Sequence, residues 1–173
     1  MYLLNEIPAF DEGGLLRMVV ESPKGSSLKI KYESSLAAFR VKRSLPLGLA
    51  YPFDWGFIPG TLGEDGDPVD ALSIHGTSSF PGVLMTCRVL GMVKVEQGKP
   101  DKRLLNPRII VTPTWYEQPS ELTSPLSSAF CEEIEHFFTT AGFFAEANPK
   151  ILGWTGIEEA EQYIRSSMTP RNP

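Results

Sequence analysis

The sequence predicts a single α+β domain, mainly β, with a small barrel at its core and two helices closing the C-terminal end. Three observations predict it. Up to about residue 111, runs of β-branched and aromatic residues are cut by Gly, Pro and Ser turn signals, the pattern of short strands. In the last third the apolar spacing switches to a helical period. The length of 173 residues supports one core without staples, and 15 glycines with 15 prolines stay below the fraction that marks disorder. The domain is therefore taken as residues 1–173.

Along the chain, residues 15–21 and 29–33 read as two strands flanking a hairpin-like turn at Pro23–Ser27. In 39–43, Phe39, Val41 and Arg43 alternate with Arg40 and Lys42, so Arg43 shares an apolar face and is expected to point inward. Residues 71–74 form a short apolar strand. The run 83–95 is long enough to cross a barrel or bend at Gly91, and 103–111 is its expected partner. A Pro/Ser-rich connection over 112–126 leads to the helical third. There Phe130, Ile134, Phe137, Phe138 and Ala141 make one helical stripe, with Glu132, Glu133 and Glu135 off it. His136, beside the stripe, reads as structural. Thr155 and Glu158 have capping-box spacing, opening a helix with Ile157, Ala160, Tyr163 and Ile164 on one side.

A formal net charge of −5 argues against a broad basic face for nucleic acid. No apolar run reaches the ~18 residues of a membrane span, and the N-terminus carries acids where a secretory signal carries bases. Cys87 and Cys131 sit in apolar surroundings far apart, which predicts reduced thiols in a cytoplasmic protein. The chemistry concentrates in Glu64, Asp65, Asp67 and Asp70, four carboxylates within seven positions. Such crowding either holds a hard divalent cation or makes a solvated acidic turn. An EF-hand is disfavoured, because Val69 and Asp70 stand where its loop needs Asp or Asn followed by Gly.

The surrounding residues narrow the choice. Tyr51-Pro52, Trp55-Gly56 and Asp65-Gly66-Asp67-Pro68-Val69-Asp70 resemble the signature region of the soluble family I inorganic pyrophosphatases. Further likenesses follow in the family's order: Glu21 and Pro23, Lys31-Tyr32-Glu33, Arg43, Cys87 to Gly91, Asp101 and the helix at Ile134–Phe138. The resemblance implies a five-stranded, OB-like distorted barrel with flanking helices, and Mg2+-dependent hydrolysis of pyrophosphate to two phosphates. It gives Asp65, Asp70 and Asp101 as metal ligands, with Glu96, Glu33 and Glu21 at metal or metal-water positions. It gives Asp67 as general base, Lys31, Arg43 and Arg103 as phosphate contacts, and Tyr51 and Trp55 as pocket aromatics. Neighbouring Lys29 could take the place of Lys31. Homo-oligomers, possibly hexamers, are also implied, and Trp115, Phe143 and Phe144 are candidate interface or core aromatics.

The chain departs from the pattern in several places. Trp55 stands for a tyrosine, Arg103 for a lysine, and Ala141-Gly142 for a Tyr-Lys pair that reaches phosphate, with Lys150 a conceivable substitute. Three functions stay open: a pyrophosphatase, a metal-dependent phosphohydrolase of another phosphate compound, or a non-catalytic metal and phosphate binder. With Glu21, Glu33, Asp65, Asp67, Asp70 and Asp101 against Lys31, Arg43 and Arg103, the expected site carries a charge of −3. Two Mg2+ ions would turn it to +1.

Overall fold

The computed structural model describes residues 3–99, 101–116, 126–143 and 148–170. Its strands are β1 (Leu16–Ser22), β2 (Leu28–Glu33), β3 (Ala38–Ser44), β4 (Asp54–Phe57), β5 (Asp70–Ser73), β6 (Leu84–Lys99), β7 (Lys102–Leu105), β8 (Arg108–Pro113) and β9 (Lys150–Thr155), with helices α1 (Ser128–Phe143) and α2 (Ile157–Ser166). Five strands close on themselves in the order β1-β4-β5-β8-β6, with β6 returning to pair β1. All neighbours are antiparallel except β5 and β8. The far end of β6 pairs with β7 and β9.

Strand alternation sorts the core into two faces. Ile109 and Val111 of β8 join Met18, Val20 and Ala71 in one cluster, which Ala160 and Ile164 of α2 complete. Ile110 and Leu72 point the other way, into a second cluster with Ile134, Phe137 and Phe138 of α1. The stripe read along α1 is thus the face that packs on the sheet, whereas His136 is exposed. The structural histidine is His75, buried with its Nε2 3.1 Å from the buried Asp54 carboxylate.

Several expectations change. The strands around Pro23–Ser27 are not a paired hairpin, since β2 and β3 form a separate two-stranded sheet. The turn binds elsewhere: Gly25 N–H donates to the Tyr51 carbonyl, and Lys24 N–H to Asp54. β1 and β2 are joined through side chains, with Ser22 Oγ bonding both backbone groups of Ile30 and the Glu21 carboxylate accepting the Tyr32 N–H at 2.7 Å. β6 shifts register between Val89 and Gly91, at the expected bend, where a Cβ on Gly91 would stand 2.5 Å from the Thr155 carbonyl. The strand expected over 103–111 is two, divided at Asn106-Pro107, because proline has no N–H for the ladder. Thr155 does not cap α2. It ends β9, its Oγ1 is buried without a partner, and Gly156 is the N-cap. β9 itself was not anticipated. Ile157 is half exposed, so the buried face of α2 is Ala160 and Ile164. Part of the 112–126 connection lies outside the described residues, as does Phe144.

Candidate active site

The loop from Gly63 to Asp70 presents the carboxylates. Its shape is local: Gly63 N–H donates to the Asp67 carbonyl at 2.8 Å, Asp65 Oδ1 accepts the Asp67 N–H at 3.2 Å, and Gly66 takes a φ of 85°. Asp70 opens β5 and stands in register with Arg108, the first residue of the parallel strand β8. Glu64 turns away and accepts the Leu105 N–H at 3.0 Å.

A cavity of about 160 Å3 lies against this loop, lined on one side by Asp65, Asp67 and Asp70 and on the others by Glu21, Lys29, Lys31, Arg43, Tyr51, Trp55 and Arg108. Eight of the twelve residues expected at the site therefore converge. Lys29 and Lys31 both reach it. Glu21, Lys31, Asp67 and Asp70 also border an adjoining, wider groove of about 980 Å3.

Several of these groups have definite partners. Lys31 is ion-paired with Asp67; burial opposes its charge, but Asp67, Asp70 and Glu21 together hold its ammonium above the ordinary lysine range. Asp65 Oδ2 accepts Nδ2 of Asn106 at 2.7 Å, and burial raises its carboxyl. Arg43 reaches the Ala141 carbonyl near the C-terminal end of α1. Burial pushes Glu21 up to about 7, against the Tyr32 N–H and with help from the Asp70 charge. It pushes Tyr51 up to about 12, leaving a neutral phenol packed edge-on to Trp55.

The other four expected residues do not line this cavity. Glu33 is bound by Lys42 at 2.9 Å and Arg40 at 3.4 Å, Lys42 foremost holding its carboxyl below the usual range, and it borders the groove instead. Glu96 and Arg103 pair with each other at 2.9 Å across β6 and β7. Asp101 is exposed at the turn between those strands. The reason is register: the β6–β7 ladder pairs Lys99 with Lys102, and the chain re-enters the cavity only at Asn106. Gln97, Asn106 and Arg108 face the cavity in their place. Arg108 carried one signal in sequence, a charge opening the apolar run RIIV directly after Asn-Pro.

The cavity charge is corrected accordingly. In formal charge Glu21, Asp65, Asp67 and Asp70 are balanced by Lys29, Lys31, Arg43 and Arg108, so the expected −3 becomes zero. Ala141 and Gly142 do border the cavity, but a Cβ on Gly142 would overlap the Pro149 ring, so a lysine there is excluded by packing as well as by identity. Lys150 is exposed in β9 and takes no part. Among the described residues no three His, Cys, Asp or Glu side chains already stand at metal-holding distance. The donors are nevertheless all oxygen, and the carboxyls of Asp65 and Asp70 suit a hard divalent cation.

Comparison with known proteins places this arrangement in context. A family model described as inorganic pyrophosphatase matches residues 18–171. The inorganic pyrophosphatase of Synechocystis sp. is 31% identical over 161 residues, 90% of each chain, and that of Streptomyces coelicolor 38% identical over 154 residues, 87% of this chain and 91% of that one. Among solved structures, the inorganic pyrophosphatase from Thermus thermophilus superposes with a TM-score of 0.83 at 30% identity, covering 96% of this chain and 97% of that one. The one from Neisseria gonorrhoeae gives 0.81 at 31% identity, covering 95% and 96%.

Proposed function

The chain belongs to the inorganic pyrophosphatase family, and from that premise we propose that it hydrolyses inorganic pyrophosphate to two phosphates in the cavity beside the 63–70 loop. The observation that carries the reading is the meeting of Asp65, Asp67 and Asp70 with Lys29, Lys31, Arg43 and Arg108 around one small space. In this reading Lys31 and Arg43 hold the phosphoryl oxygens, and Lys29 and Arg108 add to the positive field that stabilises charge developing on them. Asp67, half exposed and hydrogen-bonded to Lys31, accepts the proton of the attacking water. Tyr51 stays protonated and donates from its phenol. Trp55 and Phe138 form an apolar wall that limits access of bulk water.

Mg2+ is the ion this reading assigns, held by Asp65 and Asp70. Bound there, it would neutralise phosphoryl charge and lower the pKa of water beside it. In this reading Gln97, Asn106 and Arg108 border the substrate, and Glu96, Asp101 and Arg103 stand outside the cavity lining. A homo-oligomer is part of the same proposal, supported by the exposed apolar side chains of Leu47, Phe80 and Trp115. A cytoplasmic setting is supported by two free thiols, one of them buried. No described helix is long and apolar enough to cross a membrane.

Phosphate release from pyrophosphate, measured with Mg2+ and again after chelation, tests the reading. Release that requires Mg2+ is the expected outcome. Absence of turnover at millimolar pyrophosphate, with the fold intact by circular dichroism, overturns it, and a panel of phosphate esters and anhydrides then finds any other substrate.

A further inference from the structure

Arg108 is the most constrained charge in the cavity. Its side chain is 9% exposed. The guanidinium lies 5.8 Å from the Trp55 ring and 5.6 Å from the Phe138 ring. Nη2 donates to Gln97 Oε1 at 2.9 Å and Nη1 to the Asn106 carbonyl. Among the described residues Nε has no hydrogen-bond partner, and it lies 3.6 Å from Asp70 Oδ2. A guanidinium cannot lose its proton in this range of pH, so a permanent positive charge is fixed against Asp70.

The neighbouring donors are committed as well. Gln97 presents its only side-chain oxygen to Arg108, and Asn106 presents its Nδ2 donor to Asp65. Asp67 is taken by Lys31, and Glu21 is buried beneath the Tyr32 N–H. One pair of carboxyls, Asp65 and Asp70, is left for a cation. A divalent ion between them brings the balanced cavity from zero to +2, enough to attract a phosphate anion. A second ion would have to share Asp70, beside which the guanidinium already stands.

We propose that Arg108 serves as a resident cation in place of a second divalent ion, so that each chain takes up a single metal ion between Asp65 and Asp70 before substrate arrives. The proposal rests on the metal-dependent reading above and deepens it.

Titration of the full chain with Mn2+, followed by the electron paramagnetic resonance signal of the free ion, counts the sites. Wild type is expected to bind one Mn2+ per chain, and Arg108→Met, which keeps the apolar stem between Trp55 and Phe138, two. Arg108→Lys, which keeps a cation there, is expected to stay at one. Wild type binding none or two overturns the proposal, as does Arg108→Met remaining at one. If circular dichroism shows that Arg108→Met does not fold, Arg108→Gln decides by the same criterion. Phosphate release from pyrophosphate by the same wild-type sample separates the two readings: one bound Mn2+ without hydrolysis removes the hydrolase assignment alone, and hydrolysis with two bound Mn2+ removes this inference alone.

Discussion

The two walls of the cavity are built by different means. The 63–70 wall is a short loop whose carboxylates are aimed by hydrogen bonds within the loop itself, from Gly63 to Asp67 and from Asp67 to Asp65. The facing wall, Gln97, Asn106 and Arg108, belongs to β6, to the Asn106-Pro107 break and to β8, and is aimed by ladder register across nonlocal pairings. A local loop carries its geometry with its sequence. A hairpin wall can lengthen or slide by a residue and exchange which side chains face inward.

The largest effect that tests this division is Asp67→Asn. If the loop wall holds the general base, turnover falls by ~10²–10⁴-fold, the usual contribution of a positioned proton acceptor. Folding is expected to survive, because the side chain is about half exposed and the loop is held by the backbone atoms of Asp67 and the side chain of Asp65. Steady-state phosphate release by the purified variant is the measurement. A loss below tenfold would shift the base role away from this loop.

That asymmetry also explains what could be read before the structure was known. Asp65, Asp67 and Asp70 were legible as a crowded run of carboxylates in one loop, Tyr51 and Trp55 only through the family resemblance, and the stripe Ile134, Phe137, Phe138 because helical period is a local property. Glu96, Asp101 and Arg103 were given by the resemblance alone and stand outside the cavity lining, because the β6–β7 ladder keeps Glu96 and Arg103 with each other and returns Asn106 and Arg108 to the cavity. The buried His75–Asp54 pair and the strand β9 depend on contacts across the fold that no local pattern announces.

Between the walls lies the end of β1, and Glu21 there gives the next effect in size. Its carboxyl is held at about 7 in the folded protein by burial, above the ordinary 4.5 of an exposed glutamate. The folded state therefore keeps its proton longer than the unfolded chain. Stability falls as pH rises from about 4.5 to about 7, and the full cost is present above that window. At ~1.4 kcal/mol per tenfold in the proton equilibrium, that cost is up to ~3 kcal/mol. Glu21→Gln, which keeps the acceptor for Tyr32 N–H, is expected to be more stable than wild type at pH 8 and close to it at pH 4.5, with chelator present. Urea unfolding at the two pH values measures this. An equal difference at both would show that the carboxyl is not held protonated by its surroundings.

The smallest effect is expected where the sequence resemblance pointed most firmly on the hairpin side. Asp101 is exposed at the turn, and no side-chain hydrogen bond or ion pair among the described residues ties it to the cavity. Asp101→Asn should leave turnover and metal activation within about threefold, the scale of a surface change of less than ~0.7 kcal/mol. Asp70→Asn removes a carboxyl that the register places opposite Arg108, and it should weaken metal activation by at least about tenfold, or ~1.4 kcal/mol. The Mg2+ concentration for half-maximal phosphate release in the two variants makes the contrast direct. If Asp101→Asn shifts it as far as Asp70→Asn does, the turn at 99–102 folds over the cavity when metal or substrate is bound, and the hairpin wall is a moving part of the site. If only Asp70→Asn shifts it, metal is held by the loop wall, and the hairpin wall contributes the fixed charge of Arg108.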